Sequence, residues 1–183
     1  DRFDGTMNYS FRETMTDFFA TKRINNKEFA DSLANLYAMY AFEALSSCQN
    51  LLSSHEVKRF LNRCGNKQDG ILGAIFLQAT FPGIAGVYYG DEVGLGGADD
   101  PFNREPFHWH NEESWNKKIL EFTKTMMQIK NVNPIFKYGR FELLDYKEDV
   151  VIFSRILQYE SLICIVNRAR STNDIAIPSN AHS

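Results

Sequence analysis

Gln49-Asn50-Leu51-Leu52-Ser53-Ser54-His55-Glu56, residues 49–56, sets a short apolar run directly against a polar one. Gln49 to Leu52 is too short for a helix but long enough for a buried strand, so the hydroxyls, imidazole and carboxylate after it fall in a loop. On the N-terminal side, Asn25 stands three residues before Glu28, the spacing of a capping box. Phe29, Leu33, Leu36, Tyr37, Tyr40, Ala44 and Leu45 then share one face, which predicts a single long amphipathic helix. The first segment, Asp1 to Phe11, reads as strand and loop. On the C-terminal side, Cys64-Gly65-Asn66 is turn-prone and Ile71 to Thr80 predicts a helix. Gly83 to Tyr89 predicts another buried strand, and Gly90 to Gly97 opens a long loop that passes through Pro101 and Pro106. Ser114 is placed to cap the next helix, where Trp115, Ile119, Phe122, Met126 and Ile129 recur opposite Lys117, Lys118, Glu121 and Lys124.

Asn133-Pro134 ends that helix, and the period then changes to short β-rich runs: Arg140 to Leu144, Val150 to Leu157, Ser161 to Asn167 and Asp174 to Ile177. Strands that alternate with helices imply parallel βα units, whereas consecutive strands imply an antiparallel sheet. The chain is therefore of the α/β class, with a change of architecture near Asn131 to Pro134. No internal repeat or low-complexity segment stands out.

Composition narrows the function classes. The 183 residues are 44% hydrophobic and 14% aromatic, enough for a substantial core. A net charge of -3, from 20 basic and 23 acidic residues dispersed along the chain, offers no basic stripe for nucleic acid. Ile71 to Phe76 and Ile84 to Tyr89 are the longest apolar stretches, far short of the roughly 20 residues that span a bilayer, so no membrane partner is expected. The chain opens at Asp1-Arg2-Phe3 without a signal peptide. Cys48, Cys64 and Cys164 are odd in number and widely spaced, which fits free thiols in a reducing compartment and places the protein in the cytoplasm.

Three blocks occur in order: Phe3-Asp4-Gly5-Thr6-Met7-Asn8-Tyr9, Asn50 to Glu56 as quoted above, and Tyr88-Tyr89-Gly90-Asp91-Glu92. Together they resemble the α-amylase superfamily of glycoside hydrolases. Gly96-Gly97, Asp100-Pro101, Arg104 and Trp109 make the chain similar to the neopullulanase, cyclomaltodextrinase and maltogenic amylase group in particular. The resemblance covers Arg2 to about Asn167, the C-terminal part of such an enzyme. It implies a (β/α)8 TIM barrel in which Phe3 to Tyr9, Gln49 to Ser53 and Ile84 to Tyr89 are the sixth, seventh and eighth strands. Residues 1–132 would then be the end of the barrel, and residues 133–183 the start of a partial antiparallel β domain.

Cleaving an α-glucosidic bond takes two carboxyl groups, one to protonate the leaving oxygen and one to attack or stabilise the sugar centre. In the family these follow the fourth and fifth strands, ahead of Asp1. What the resemblance places in this chain is a third carboxylate directly after a histidine, a pair that grips sugar hydroxyls. His55 and Glu56 hold those positions, with Glu56 where the family has Asp. One extra methylene displaces the carboxylate by roughly an ångström, a misplacement that can cost about a hundredfold in rate. Arg59, Asp100 and Arg104 match positions that contact substrate in this group.

Other readings compete at each place. His55 to Arg59 also fits a polar helix start capped by Ser54. Gly90 to Gly97 lacks the Gly-Lys-Ser/Thr of a phosphate cradle, and Asp99 stands where a dinucleotide fingerprint needs its last glycine. His108-Trp109-His110 lacks a third ligand at zinc spacing, so neither metal nor cofactor is expected, and calcium is left to the preceding half. Tyr37, Tyr40, Phe42, Phe76 and Phe81 have core spacing rather than that of sugar platforms. Two functions of different class fit: a piece of an α-glucan hydrolase acting on maltodextrin, cyclodextrin or pullulan, and a non-catalytic amylase-like module for binding or assembly. Three strands cut from a barrel expose two edges, so self-association or docking onto the missing N-terminal half is expected.

Overall fold

Three short strands, β1 (Met7–Asn8), β2 (Gln49–Leu51) and β3 (Ile84–Gly86), lie parallel in that order, with Met7 opposite Gln49 and Asn50 opposite Ala85. They belong to a computed structural model that describes residues 5–147, 150–168 and 177; of the expected strand over 174–177, all but Ile177 lie outside the described residues. Helices fill each crossover. Between β1 and β2 run α1 (Tyr9–Met15), a π-helical turn (Thr16–Ala20), α2 (Asn26–Ala38) and α3 (Phe42–Ser47). Between β2 and β3 run α4 (Phe60–Arg63) and α5 (Gln68–Thr80). After the loop that follows β3 come α6 (Lys117–Val132) and α7 (Pro134–Tyr138). A second, antiparallel sheet follows: β4 (Arg140–Tyr146), β5 (Val150–Leu157) and β6 (Glu160–Asn167), in that order.

Several local expectations are corrected. Where strand and loop were expected up to Phe11, and a strand over Phe3 to Tyr9, the strand ends at Asn8, because the Asn8 side chain accepts the Phe11 N–H at 3.0 Å and starts a helix at Tyr9. The capping box at Asn25 and Glu28 forms, but the long helix breaks at Ala41, whose extended backbone separates α2 from α3. Met39 and Tyr40 at that break are 52% and 43% exposed, so Tyr40 is not a core residue. Asn116, not Ser114, caps α6, accepting from the Ile119 N–H at 3.1 Å. On α6 the buried row is Ile119, Thr123, Met126 and Lys130, and Ile129 lies outward. Finally, β3 is only three residues long and Ile84 is 54% exposed; among the described residues β3 pairs with β2 alone.

One hydrophobic cluster joins the helices to the antiparallel sheet. Phe11, Phe81, Phe141 and Phe153 form a chain of rings with successive centroids 5.8, 5.2 and 5.2 Å apart. A buried Phe contributes about 1.5–3 kcal/mol against about 1 kcal/mol for a typical hydrogen bond, so these rings dominate the join.

The polar part of the join lies at the C-terminal end of α5, whose last carbonyls have no helical partner. Lys130 Nζ donates to Ala79 O at 3.0 Å and Phe81 O at 3.3 Å, while Arg155 donates to Thr80 O and, at 2.6 Å, to Gly139 O. Burial, with help from Arg155 and Lys137, pushes the Lys130 amine from its ordinary 10.5 down to about 7. The unfolded chain then holds a proton that the folded chain lacks between these values, so this contribution is full above 10.5 and lost as pH falls through about 7. The buried Cys64 and Cys164 thiols, raised from 9.0 to about 12, act oppositely once pH passes 9.0. Unfolding free energy is therefore expected to climb between about pH 7 and about pH 9, and Lys130→Met to abolish the climb, as measured by denaturant titration at both pH values.

Candidate functional site

At the C-terminal end of β2 the chain folds into a tight turn closed by a bridge between Ser54 and Val57. Both serines before it are buried and act as struts. Ser53 Oγ accepts from the Phe60 N–H at 2.9 Å, and Ser54 Oγ from the Glu56 N–H at 3.2 Å. The turn lifts the His55 and Glu56 side chains into solvent, 61% and 65% exposed, with Nε2 and Oε1 3.8 Å apart. This is a turn at a strand end, not the start of a helix.

The loop after β3 pins the turn from one side. Asn103, fully buried, points its amide at the turn's carbonyls: His55 O at 3.0 Å, Val57 O at 3.1 Å and Ser54 O at 3.5 Å. Arg104 Nε also donates to His55 O at 3.0 Å, and it pairs with Asp100 at 3.1 Å. From the other side Tyr9, the first residue after β1, donates its hydroxyl to Glu56 Oε2 at 3.1 Å and lies 3.3 Å from Ser54 Oγ. His55, Glu56, Asp100 and Arg104 are thus brought together by elements that follow three successive strands.

Arg59 departs from that expectation. Expected at the substrate, its guanidinium is fully covered and a sugar has no path to it. It donates to Tyr89 O at 2.7 Å, pairs with Asp91 at 3.3 Å, and lies 4.6 and 4.8 Å from the ring centroids of Tyr88 and Tyr89. Its own N–H donates to Gly97 O at 3.2 Å. Arg59 therefore fastens the 88–97 loop beneath the turn. Burial pushes the Asp91 carboxyl up to about 6, outweighing the Ser53 hydrogen bond and the Arg59 charge, which pull it down.

Two glycines let the loop take this path. Gly90 has φ +89°, where a side chain is strained, and a Cβ on Gly97 would lie 2.6 Å from Phe102 O. Trp109 and His110 lie in a turn that follows His108, whose ring is paired to Glu105 at 3.2 Å. Among the described residues no group of three or more His, Cys, Asp or Glu is placed to hold a metal ion. No helix among them is long and apolar enough to cross a membrane.

Sequence reasoning missed Tyr9 and Asn103. The signals were present: Asn8 is a cap residue just before Tyr9, and Asn103 lies between the two loop residues that were singled out.

Chemically, the arrangement presents a solvated carboxylate and an imidazole on a turn whose His55 and Val57 carbonyls are held by Asn103 and Arg104. Such a pair accepts and donates hydrogen bonds to a polyhydroxylated ligand, and its frame prevents the drift that costs rate or affinity.

The chain is 38% identical over 131 residues to neopullulanase 2 of Thermoactinomyces vulgaris, covering 72% of this chain and 22% of that protein. It is 35% identical over 169 residues to a cyclomaltodextrinase of Thermoanaerobacter pseudethanolicus, covering 92% of this chain and 29% of that one. The ligand-free structure of the cyclic alpha-maltosyl-(1-->6)-maltose hydrolase from Arthrobacter globiformis superposes with a TM-score of 0.87 at 34% identity, over 92% of this chain and 38% of that one. The chain thus spans well under half the length of each. The family model for the alpha amylase catalytic domain matches residues 1–139. A parallel β1-β2-β3 sheet that ends in a histidine-carboxylate turn, and a match over most of the chain, together assign the protein to the α-amylase family.

Proposed function

We propose that the chain is the C-terminal part of a glycoside hydrolase that cleaves α-glucosidic bonds in starch-like substrates such as maltodextrin, cyclodextrin and pullulan. Residues 1–132 form the last three βα units of a (β/α)8 barrel, and residues 133–183 begin an all-β domain. Barrel enzymes carry their chemistry on loops at the C-terminal ends of strands, and both the 54–57 turn and the 97–104 loop follow strand ends. The observation that carries the proposal is the Glu56 carboxylate raised beside His55 and held by the Tyr9 hydroxyl, on a turn that Asn103 and Arg104 brace through the His55 carbonyl. In this reading Glu56 and His55 grip hydroxyls of the distorted sugar ring, Asp100 and Arg104 contact the neighbouring sugar, and the nucleophile and acid lie in the remainder of the hydrolase.

Support also comes from the sheet itself. Among the described residues β1 and β3 each have one unpaired edge, and Met7, Ile84 and, just after β3, Val87 are exposed, a surface that the remaining strands or a second copy would cover. The three buried cysteines are all free, as suits a reducing cytoplasmic compartment. Glu56 in place of the family's Asp favours a second reading, an amylase-like module that binds glucan without cutting it.

Substrate choice separates the readings. The whole hydrolase is expected to release reducing ends from maltodextrin, cyclodextrin and pullulan and to leave cellodextrin intact. Binding to maltodextrin without cleavage supports the module instead, and cleavage of cellodextrin alone overturns both.

A further inference from the structure

We infer that Tyr9 is a positioning residue that sets the Glu56 carboxylate, so that the two side chains work as one unit. The inference rests on the role proposed above for Glu56 and assigns a function to a residue outside the histidine-carboxylate pair.

A glutamate on an exposed turn has freedom that an aspartate lacks, because its side chain has one more rotatable bond. Unrestrained, the Glu56 carboxylate would sample positions spread over more than the ångström or so that a working geometry tolerates. In the structure its two oxygens differ. Oε2 receives the Tyr9 hydroxyl at 3.1 Å, whereas Oε1 faces His55 Nε2 at 3.8 Å and the open side of the turn. One oxygen is held and the other is left for a ligand hydroxyl.

Tyr9 is well placed to hold it. Asn8 pairs with Asn50 across β1 and β2, and its amide donates to Asn50 Oδ1 at 3.0 Å, which fixes the strand end that carries Tyr9. Asn8 then caps α1, so the Tyr9 backbone is held from both sides. A tyrosine also reaches far with only two side-chain torsions, which makes it a stiff strut. Its hydroxyl lies 3.3 Å from Ser54 Oγ, which in turn accepts the Glu56 N–H, so carboxylate and backbone of Glu56 are tied to the same point.

The test is a double-mutant cycle in the whole hydrolase with maltodextrin as substrate. A hydrogen bond to a charged group corresponds to roughly a ten- to hundredfold effect, so Tyr9→Phe is expected to lower kcat about tenfold with KM changed less than about twofold. In the Glu56→Ala background the same substitution is expected to cost less than about twofold, because no carboxylate remains to be positioned. Tyr9→Phe keeps the ring, and an unchanged thermal midpoint shows that the fold is retained. An equal loss in both backgrounds, or no loss in either, overturns the positioning role while the low activity of Glu56→Ala leaves the site in place. Full activity of Glu56→Ala itself removes the site, and the role of Tyr9 with it.

Discussion

Asp1 to Ser183, purified alone and incubated with maltodextrin or cyclodextrin, is expected to release no reducing sugar above a heat-killed control. Cleavage needs an acid on the leaving oxygen and a second carboxylate at the sugar centre, with the two carboxyl groups held about 5–9.5 Å apart across the bond. In the proposed hydrolase both lie outside residues 1–183. Residues that act as a unit are not replaced by the ones that remain: losing such a set costs on the order of a millionfold. Glu56 and His55 can still hold hydroxyls, so weak glucan binding without turnover is the expected remnant. Glucose or maltose released by the chain alone would show that it carries its own nucleophile and acid.

The fold was legible where its signals were local. The Asn25 and Glu28 capping box sits where the spacing put it, and the strand expected over Val150 to Leu157 has those bounds. The alternation of strand and helix up to Asn133 corresponds to a parallel sheet, and the change of period after it to an antiparallel one. Reading failed where the local signal was weak or two candidates competed. No glycine or proline marks the break at Ala41, and Asn116 wins the cap of α6 from Ser114, which instead closes a short turn by bonding Asn111 O at 2.7 Å.

The site divides in the same way. That His55, Glu56, Asp100 and Arg104 belong near one another was legible because three blocks in order resemble one family, and the structure places them at adjoining strand ends. The fate of Arg59 was not, because Tyr89 and Asp91, some 30 residues later, draw its guanidinium beneath the loop. Tyr9 and Asn103 act over separations of 47 and 48 residues, which no periodicity encodes.

Glu56 is the residue on which the functional reading turns. Its side chain is 65% exposed, and its hydrogen-bond partner from elsewhere in the fold is Tyr9, so its removal should leave the fold intact. A group aimed at the charge that develops in the transition state typically supplies a hundred- to thousandfold in rate, about 2.7–4 kcal/mol. The most direct measurement is therefore kcat on maltodextrin for Glu56→Ala in the whole hydrolase, alongside its thermal midpoint. A fall of about a hundredfold or more at an unchanged midpoint is expected. A rate within about twofold of the parent would place the chemistry elsewhere and contradict the assignment of this turn to the sugar.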